Sequence, residues 1–245
     1  LDGKIATTTN IIAAYQCVLP GEKTSPHRHT PAATRVILEG AGGATFVDGK
    51  RCDMFDGDLI ITPNWTWHCH ENDTDSRAIW LDVLDVPLLG SFDAIFGEMK
   101  MGPENRFPEN ASTLSDDVYE KAGLAPATGL ANVHHSPRLR YAWQDVLAAL
   151  DKAPVDDVGR RTVHYTNPLN GDEILPTHDS HVVALAKGKT TPKSRFMANA
   201  VCVVLEGEGT SQIGEVTHEW GPKDIFTTPH WTWATHTALT DRAIV

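Results

Sequence analysis

The chain has 245 residues, with 32 Asp and Glu against 21 Lys and Arg, a formal net charge of -11 and 41% hydrophobic residues. That apolar content excludes a disordered chain, and the length suffices for one large domain or two small ones. The acidic balance excludes a nucleic-acid binder, whose phosphate contacts need clustered Lys and Arg, and no apolar run approaches the roughly 20 residues that span a bilayer.

In chain order, the first feature is Gly21-Glu-Lys-Thr-Ser-Pro-His27-Arg28-His29. Short runs rich in Ile, Val and Thr follow: Arg35 to Leu38, Thr45 to Val47, Leu59 to Thr62 and Ala78 to Val83. Gly, Pro, Asn and Asp punctuate them, and Asp48-Gly49 predicts a tight hairpin. Residues 100 to 130 are rich in Pro, Asn, Ser and Gly and read as a connector. Leu139, Trp143, Val146, Leu147 and Leu150 then recur at helical spacing, which predicts an amphipathic helix over 138–151. A second run of short strands completes the chain. Three parts result: an N-terminal module over 1–100, a connector with one helix over 101–160, and a C-terminal module over 161–245.

The two modules are copies. Arg35-Val-Ile-Leu-Glu-Gly40 matches Cys202-Val-Val-Leu-Glu-Gly207, and Thr62-Pro63-Asn-Trp65-Thr-Trp67 matches Thr228-Pro229-His-Trp231-Thr-Trp233. Their offsets are 167 for the Gly40–Gly207 pair and 166 for the Pro63–Pro229 pair. Nearly constant spacing in one order points to duplication of an all-β barrel or jelly roll. The cysteines (Cys17, Cys52, Cys69, Cys202) are scattered and read as free thiols, which places the chain in the cytoplasm. The chain begins at Leu1 without a Met and stops at Val245 inside an apparent strand, so a piece of a longer polypeptide is expected.

Residues two apart on a strand share a face, so His27 and His29 aim their imidazoles to one side. Together with Gly21, Gly40, Gly49, Gly57, Pro63, His68 and Asn72, their spacing resembles the two cupin motifs, in which a third His joins the pair. Phe55 stands where those motifs usually carry Pro. Three imidazoles suit a borderline metal such as Fe, Zn, Cu or Ni. The Glu ligand common in cupins is missing, since Ala33 and Thr34 occupy its positions. Glu39 is no substitute, because Glu206 occupies the same turn in the second copy, where Ser194, Phe196 and Ala234 replace His27, His29 and His68. The Trp-Thr-Trp segments recur in both copies and read as packing. Metal is therefore expected in the N-terminal module alone. Arg35 follows His29 by six residues and shares its face, so its guanidinium is a candidate to fork onto a substrate carboxylate. Cys202 replaces it in the second copy. His70, two after His68, faces the same cavity, but His236 persists in the metal-free copy, so a structural role competes with a catalytic one.

The wording HRHTPAATRVILEG and TPNWTWHCHEN, with Gln16, Pro20-Gly21-Glu22 and Asn167-Pro168-Leu169-Asn170-Gly171, resembles the gentisate 1,2-dioxygenase family, which includes salicylate and 1-hydroxy-2-naphthoate dioxygenases. The resemblance implies a bicupin using Fe(II) and O2 to open a 2-hydroxybenzoate-type acid, gentisate foremost, between its hydroxyl- and carboxylate-bearing carbons. It implies that Gln16 and Asp82 line or support the pocket, that His70 contacts substrate or moves a proton, and that the protein is a homo-oligomer, dimer or tetramer. Asn167 and Thr177 are possible contributors. Pro31, the Ile11-Ile12 pair and a shorter N-terminal region depart from the family and leave ring-substituent preference open. Two alternatives remain open: another metal-dependent cupin enzyme, isomerase or decarboxylase, and a non-catalytic ligand-binding bicupin. His134, His135, His178 and His181 lack a framed third partner and read as exposed loop residues.

Overall fold

A computed structural model of the chain describes residues 6–100 and 134–245. Most of the expected connector, 101–133, lies outside the described residues. These residues form two compact units. Of the described residues, the first holds 12–100, 134–143 and 165–180, and the second holds 6–11, 144–164 and 181–245. The division is not colinear with sequence boundaries at 100 and 160, because residues 165–180 fold with the first unit.

The first unit contains β1 (Ile12–Val18), β2 (His27–His29), β3 (Ala33–Glu39), β4 (Ala44–Val47), β5 (Lys50–Asp53), β6 (Leu59–Thr62), β7 (His68–Glu71), β8 (Ala78–Leu84), the short helix α1 (Val86–Ser91), β9 (Gly97–Met99) and β10 (Arg140–Tyr141). Two five-stranded sheets result, in the orders β1-β8-β3-β6-β10 and β5-β4-β7-β2-β9. Their antiparallel pairing lets alternate side chains of each strand point inward. Ile37, Met54, Ile60, Ile61, Trp80 and Leu81 are nearly inaccessible to water, and burying each such side chain stabilises the fold by about 1.5–3 kcal/mol. The expected hairpin joins β4 to β5, with Asp48 at φ 46° and Gly49 at φ 84°, the left-handed pair that matches strand twist.

The helix starts later than its periodicity predicts: α2 spans Trp143–Lys152, burying Val146 and Leu150. Leu139 still lies in the core, 8% exposed, but Arg140 and Tyr141 pair with Ile60 and Leu59 as an edge strand. Asp58 explains the switch. Its buried carboxylate accepts the Trp143 backbone N–H at 2.9 Å and the Arg140 Nε–H at 2.7 Å, capping the helix where sheet pairing ends.

The second unit contains β11 (Arg160–His164), β12 (His181–Ala186), β13 (Ala200–Val203), β14 (Gly209–Ile213), β15 (Val216–Trp220), β16 (Ile225–Thr228), β17 (Ala234–Ala238) and β18 (Arg242–Ile244). Leu185, Val204, Trp220, Ala238 and Ala243 form its core. Pairings repeat between copies: β4 with β7 matches β14 with β17, and β3 with β6 matches β13 with β16. None of the four cysteines is in a disulfide. Among the described residues no helix is long and apolar enough to cross a membrane.

Candidate metal centre

Adjacent strands of one sheet carry the three histidines. His27 on β2 is the register partner of His68 on β7, and His29 follows His27 by two on the same face. Ring centroids are 4.2 Å apart for His27–His68, 4.8 Å for His29–His68 and 5.7 Å for His27–His29. One nitrogen from each ring lies within 4.8 Å of the others.

The other ring nitrogen is spoken for in every case. Nδ1 of His27 donates to the Ser25 carbonyl at 3.0 Å, Nδ1 of His29 to the Pro31 carbonyl at 2.7 Å, and Nδ1 of His68 to the Thr66 carbonyl at 3.0 Å. A carbonyl can only accept, so each Nδ1 carries a proton and Nε2 is the nitrogen left on each ring to bind a metal. Nε2 of His68 is buried with no hydrogen-bond partner among the described residues, a costly state that metal coordination relieves. Burial, reinforced by the Arg35 charge, pushes His68 down to about 2, and burial also lowers His29. Both effects hold the rings in the neutral, ligating form. The donor set therefore fits a divalent borderline metal, with no carboxylate ligand from Ala33 or Thr34.

The second copy places Ser194 opposite Ala234, the positions of His27 and His68, and offers no such set there. Its turn chemistry is nevertheless the same. Trp65 N–H donates to the His29 carbonyl at 2.8 Å, and Trp231 N–H to the Phe196 carbonyl at 2.6 Å. Both tryptophans adopt positive φ, 62° and 54°. Arg28 stacks over Trp65 and Trp67, as Arg195 does over Trp231 and Trp233. The Trp-Thr-Trp segment is thus a packing device that pins the end of the neighbouring strand, and its arginine partner is a feature the sequence reading missed.

Arg35 on β3 lies directly opposite Asp82 on β8. The pair is buried, with side chains 2% and 1% exposed and an Nε–Oδ1 distance of 2.5 Å. Arg35 Nη1 also donates to Thr62 Oγ1 at 2.7 Å, and the Trp80 indole N–H donates to Asp82 Oδ2 at 3.0 Å. The Arg35 charge helps to lower His29, His68 and His70, so it sits beside the histidine cluster. His70 is 2% exposed, shares a hydrogen bond with Thr45 Oγ1 through Nδ1 at 3.0 Å, and packs 4.7 Å from the Trp80 ring. His236 shares the corresponding bond with Ser211 at 2.7 Å, which supports a positioning role for both. Gln16 is exposed on β1 opposite Trp80. Cross-strand partners share a face, so it looks to the same side as Trp80.

The remaining sequence candidates have other partners. Asn167 is buried and shapes a turn, accepting the Leu169 N–H through its side chain. His178 is no loose loop residue: its Nε2 pairs with Thr34 Oγ1 at 2.8 Å, and burial lowers its pKa. Thr177 bonds His178 in turn.

Residues 14–84 match the cupin domain family. Along its whole length the chain is 34% identical to gentisate 1,2 dioxygenase 1 of Aquipseudomonas alcaligenes, covering 71% of that protein. The chain belongs to the gentisate 1,2-dioxygenase family. Other members of this dioxygenase family include a 5-aminosalicylate 1,2-dioxygenase of Comamonas sp, 32% identical, of which the chain spans 64%. The crystal structure of a salicylate 1,2-dioxygenase from Pseudaminobacter salicylatoxidans superposes with a TM-score of 0.90 at 30% identity, over 100% of this chain and 72% of that one. The same enzyme has been solved as adducts with gentisate. The fold is accordingly that of a bicupin.

Proposed function

We propose that the protein is a ferrous, ring-cleaving dioxygenase that opens a 2-hydroxybenzoate, gentisate foremost, between the hydroxyl- and carboxylate-bearing carbons. The observation that carries this reading is the convergence of three imidazoles on one point without a carboxylate ligand. Ferrous iron bound there would supply a redox-active Lewis acid able to couple a chelating aromatic acid to O2, both oxygen atoms entering the product.

The chain's own residues bind and orient. His27, His29 and His68 would hold the metal through Nε2, their carbonyl bonds fixing ring rotation. Arg35 supplies the local positive charge that an acidic protein needs to seat an anionic acid. Its Nε and Nη1 are committed to Asp82 and Thr62, so Nη2 is the atom through which it would reach a carboxylate, and Asp82 is the residue that aims it. His70, held by Thr45 and packed against Trp80 beside His68, would either contact the substrate and exchange a proton with it or position the site as His236 does in the second copy. Gln16 would contact the ring from β1. A reducing cytoplasm and a dimeric or tetrameric assembly fit this reading.

The test is anaerobic reconstitution with Fe(II), then oxygen-electrode assays with gentisate, salicylate and 1-hydroxy-2-naphthoate. Stoichiometric O2 uptake with a ring-opened chromophore supports the proposal. No uptake with any 2-hydroxybenzoate refutes it and returns the choice to a non-oxidative cupin enzyme or a ligand-binding bicupin. Arg35→Lys should raise KM more than it lowers kcat while iron is retained.

A further inference from the structure

A second group of metal-ligating side chains shares no residue with the three-His centre, and the proposed reaction does not use it. His164 ends β11 and His181 begins β12, and the antiparallel register sets them directly opposite one another. One step along, the Tyr165 N–H donates to the Ser180 carbonyl at 3.0 Å. That bond makes Tyr165/Ser180 a hydrogen-bonded pair, so His164/His181 falls at a non-hydrogen-bonded position, where facing side chains approach most closely. The rings accordingly stand 5.3 Å apart between centroids, tilted by 35°. A nitrogen of each lies within 4.8 Å of the other, close enough for one ion to bridge both at ordinary metal–nitrogen lengths of about 2.0–2.1 Å with little side-chain movement.

The ladder also brings a carboxylate. Because the Tyr165–Ser180 bond extends the pairing beyond His181, Asp179 falls two residues upstream on the same face as His181. Both histidines and Asp179 are exposed, so an ion has open access and waters can complete its shell. The three-His centre differs, with His68 buried. Spacing along the chain does not reveal this set, since His164 and His181 are 17 positions apart and meet only through strand register.

We infer that His164 and His181, flanked by Asp179, form a surface site for a divalent borderline cation such as Zn(II), separate from the catalytic metal. Two imidazoles and one carboxylate match the ligand preference of Zn(II), Ni(II) and Cu(II) and not that of Mg(II) or Ca(II), which take oxygen ligands. The site would brace β11 against β12, because an ion that binds only the folded register stabilises it by mass action.

The test compares the full chain, as purified, with a His164→Gln/His181→Gln variant. Both are dialysed against low-micromolar Zn(II), and bound metal is counted by mass spectrometry. The variant should hold one Zn(II) per chain fewer, and its melting temperature should no longer rise on adding Zn(II). Circular dichroism without added metal checks that the exposed substitutions leave the fold intact. The readout is a difference between two proteins that share His27, His29 and His68, so it stands or falls apart from the dioxygenase reading. Equal zinc content overturns the inference. Asp179→Asn should weaken binding at least several-fold, and unchanged affinity removes Asp179 from the ligand set.

Discussion

The Arg35–Asp82 pair links stability to the proposed function, and Asp82→Ala probes it. The substitution strands a guanidinium that is 2% exposed and takes the acceptor from the Trp80 indole N–H, 3.0 Å away. Breaking a buried ion pair by removing one partner costs about 3–5 kcal/mol, and an orphaned buried donor costs about 1–3 kcal/mol. Both losses flow from one carboxylate and are not additive, so about 4–6 kcal/mol is expected, or roughly a thousandfold or more in the folding equilibrium. Urea unfolding of the metal-free protein, followed by tryptophan fluorescence, measures it. The double variant Arg35→Met/Asp82→Leu should recover most of the loss, because an apolar pair of similar volume removes both charges from the interior. A cost below about 1 kcal/mol for Asp82→Ala, the value of a solvent-exposed pair, would refute the reasoning. So would a double variant no more stable than the single one.

Three further outcomes follow from the geometry. His27→Ala should lower iron affinity by more than about 100-fold, beyond the loss from an outer-shell change, with circular dichroism unchanged. Gly57→Ala should destabilise by about 2–4 kcal/mol, read from the urea midpoint, because Gly57 has φ +83° and an added Cβ would sit 2.5 Å from a Trp143 ring carbon. The metal-free protein should lose stability as pH falls below about 6.5. Burial depresses His68 and His70 in the folded state, so the unfolded chain takes up protons first and the folded state gains none until lower pH. Each group contributes about 1.4 kcal/mol per pH unit in that window, and a flat profile between pH 6.5 and 5 in thermal melts would contradict it.

Much of the centre was legible because strand periodicity and duplication are local signals. His27-x-His29 shares a face whatever the rest of the fold does, and comparison with Ser194, Phe196 and Ala234 separates ligands from scaffold. Features set by strand register were not legible. Nothing local announces that Asp82 lies opposite Arg35, or that His178 reaches Thr34 across 144 positions. The early part of the expected helix was lost for a similar reason: Leu139 keeps its place in the core, but Asp58, 85 residues before Trp143, sets where the helix begins.

The proposed function requires three imidazole nitrogens gathered at one ion. Iron-edge X-ray absorption on protein given one equivalent of Fe(II) without oxygen tests it most directly. Three imidazole scatterers and no sulfur are expected, with the pattern lost in His68→Ala. A spectrum with fewer than three, or one unchanged by His68→Ala, would contradict the assignment.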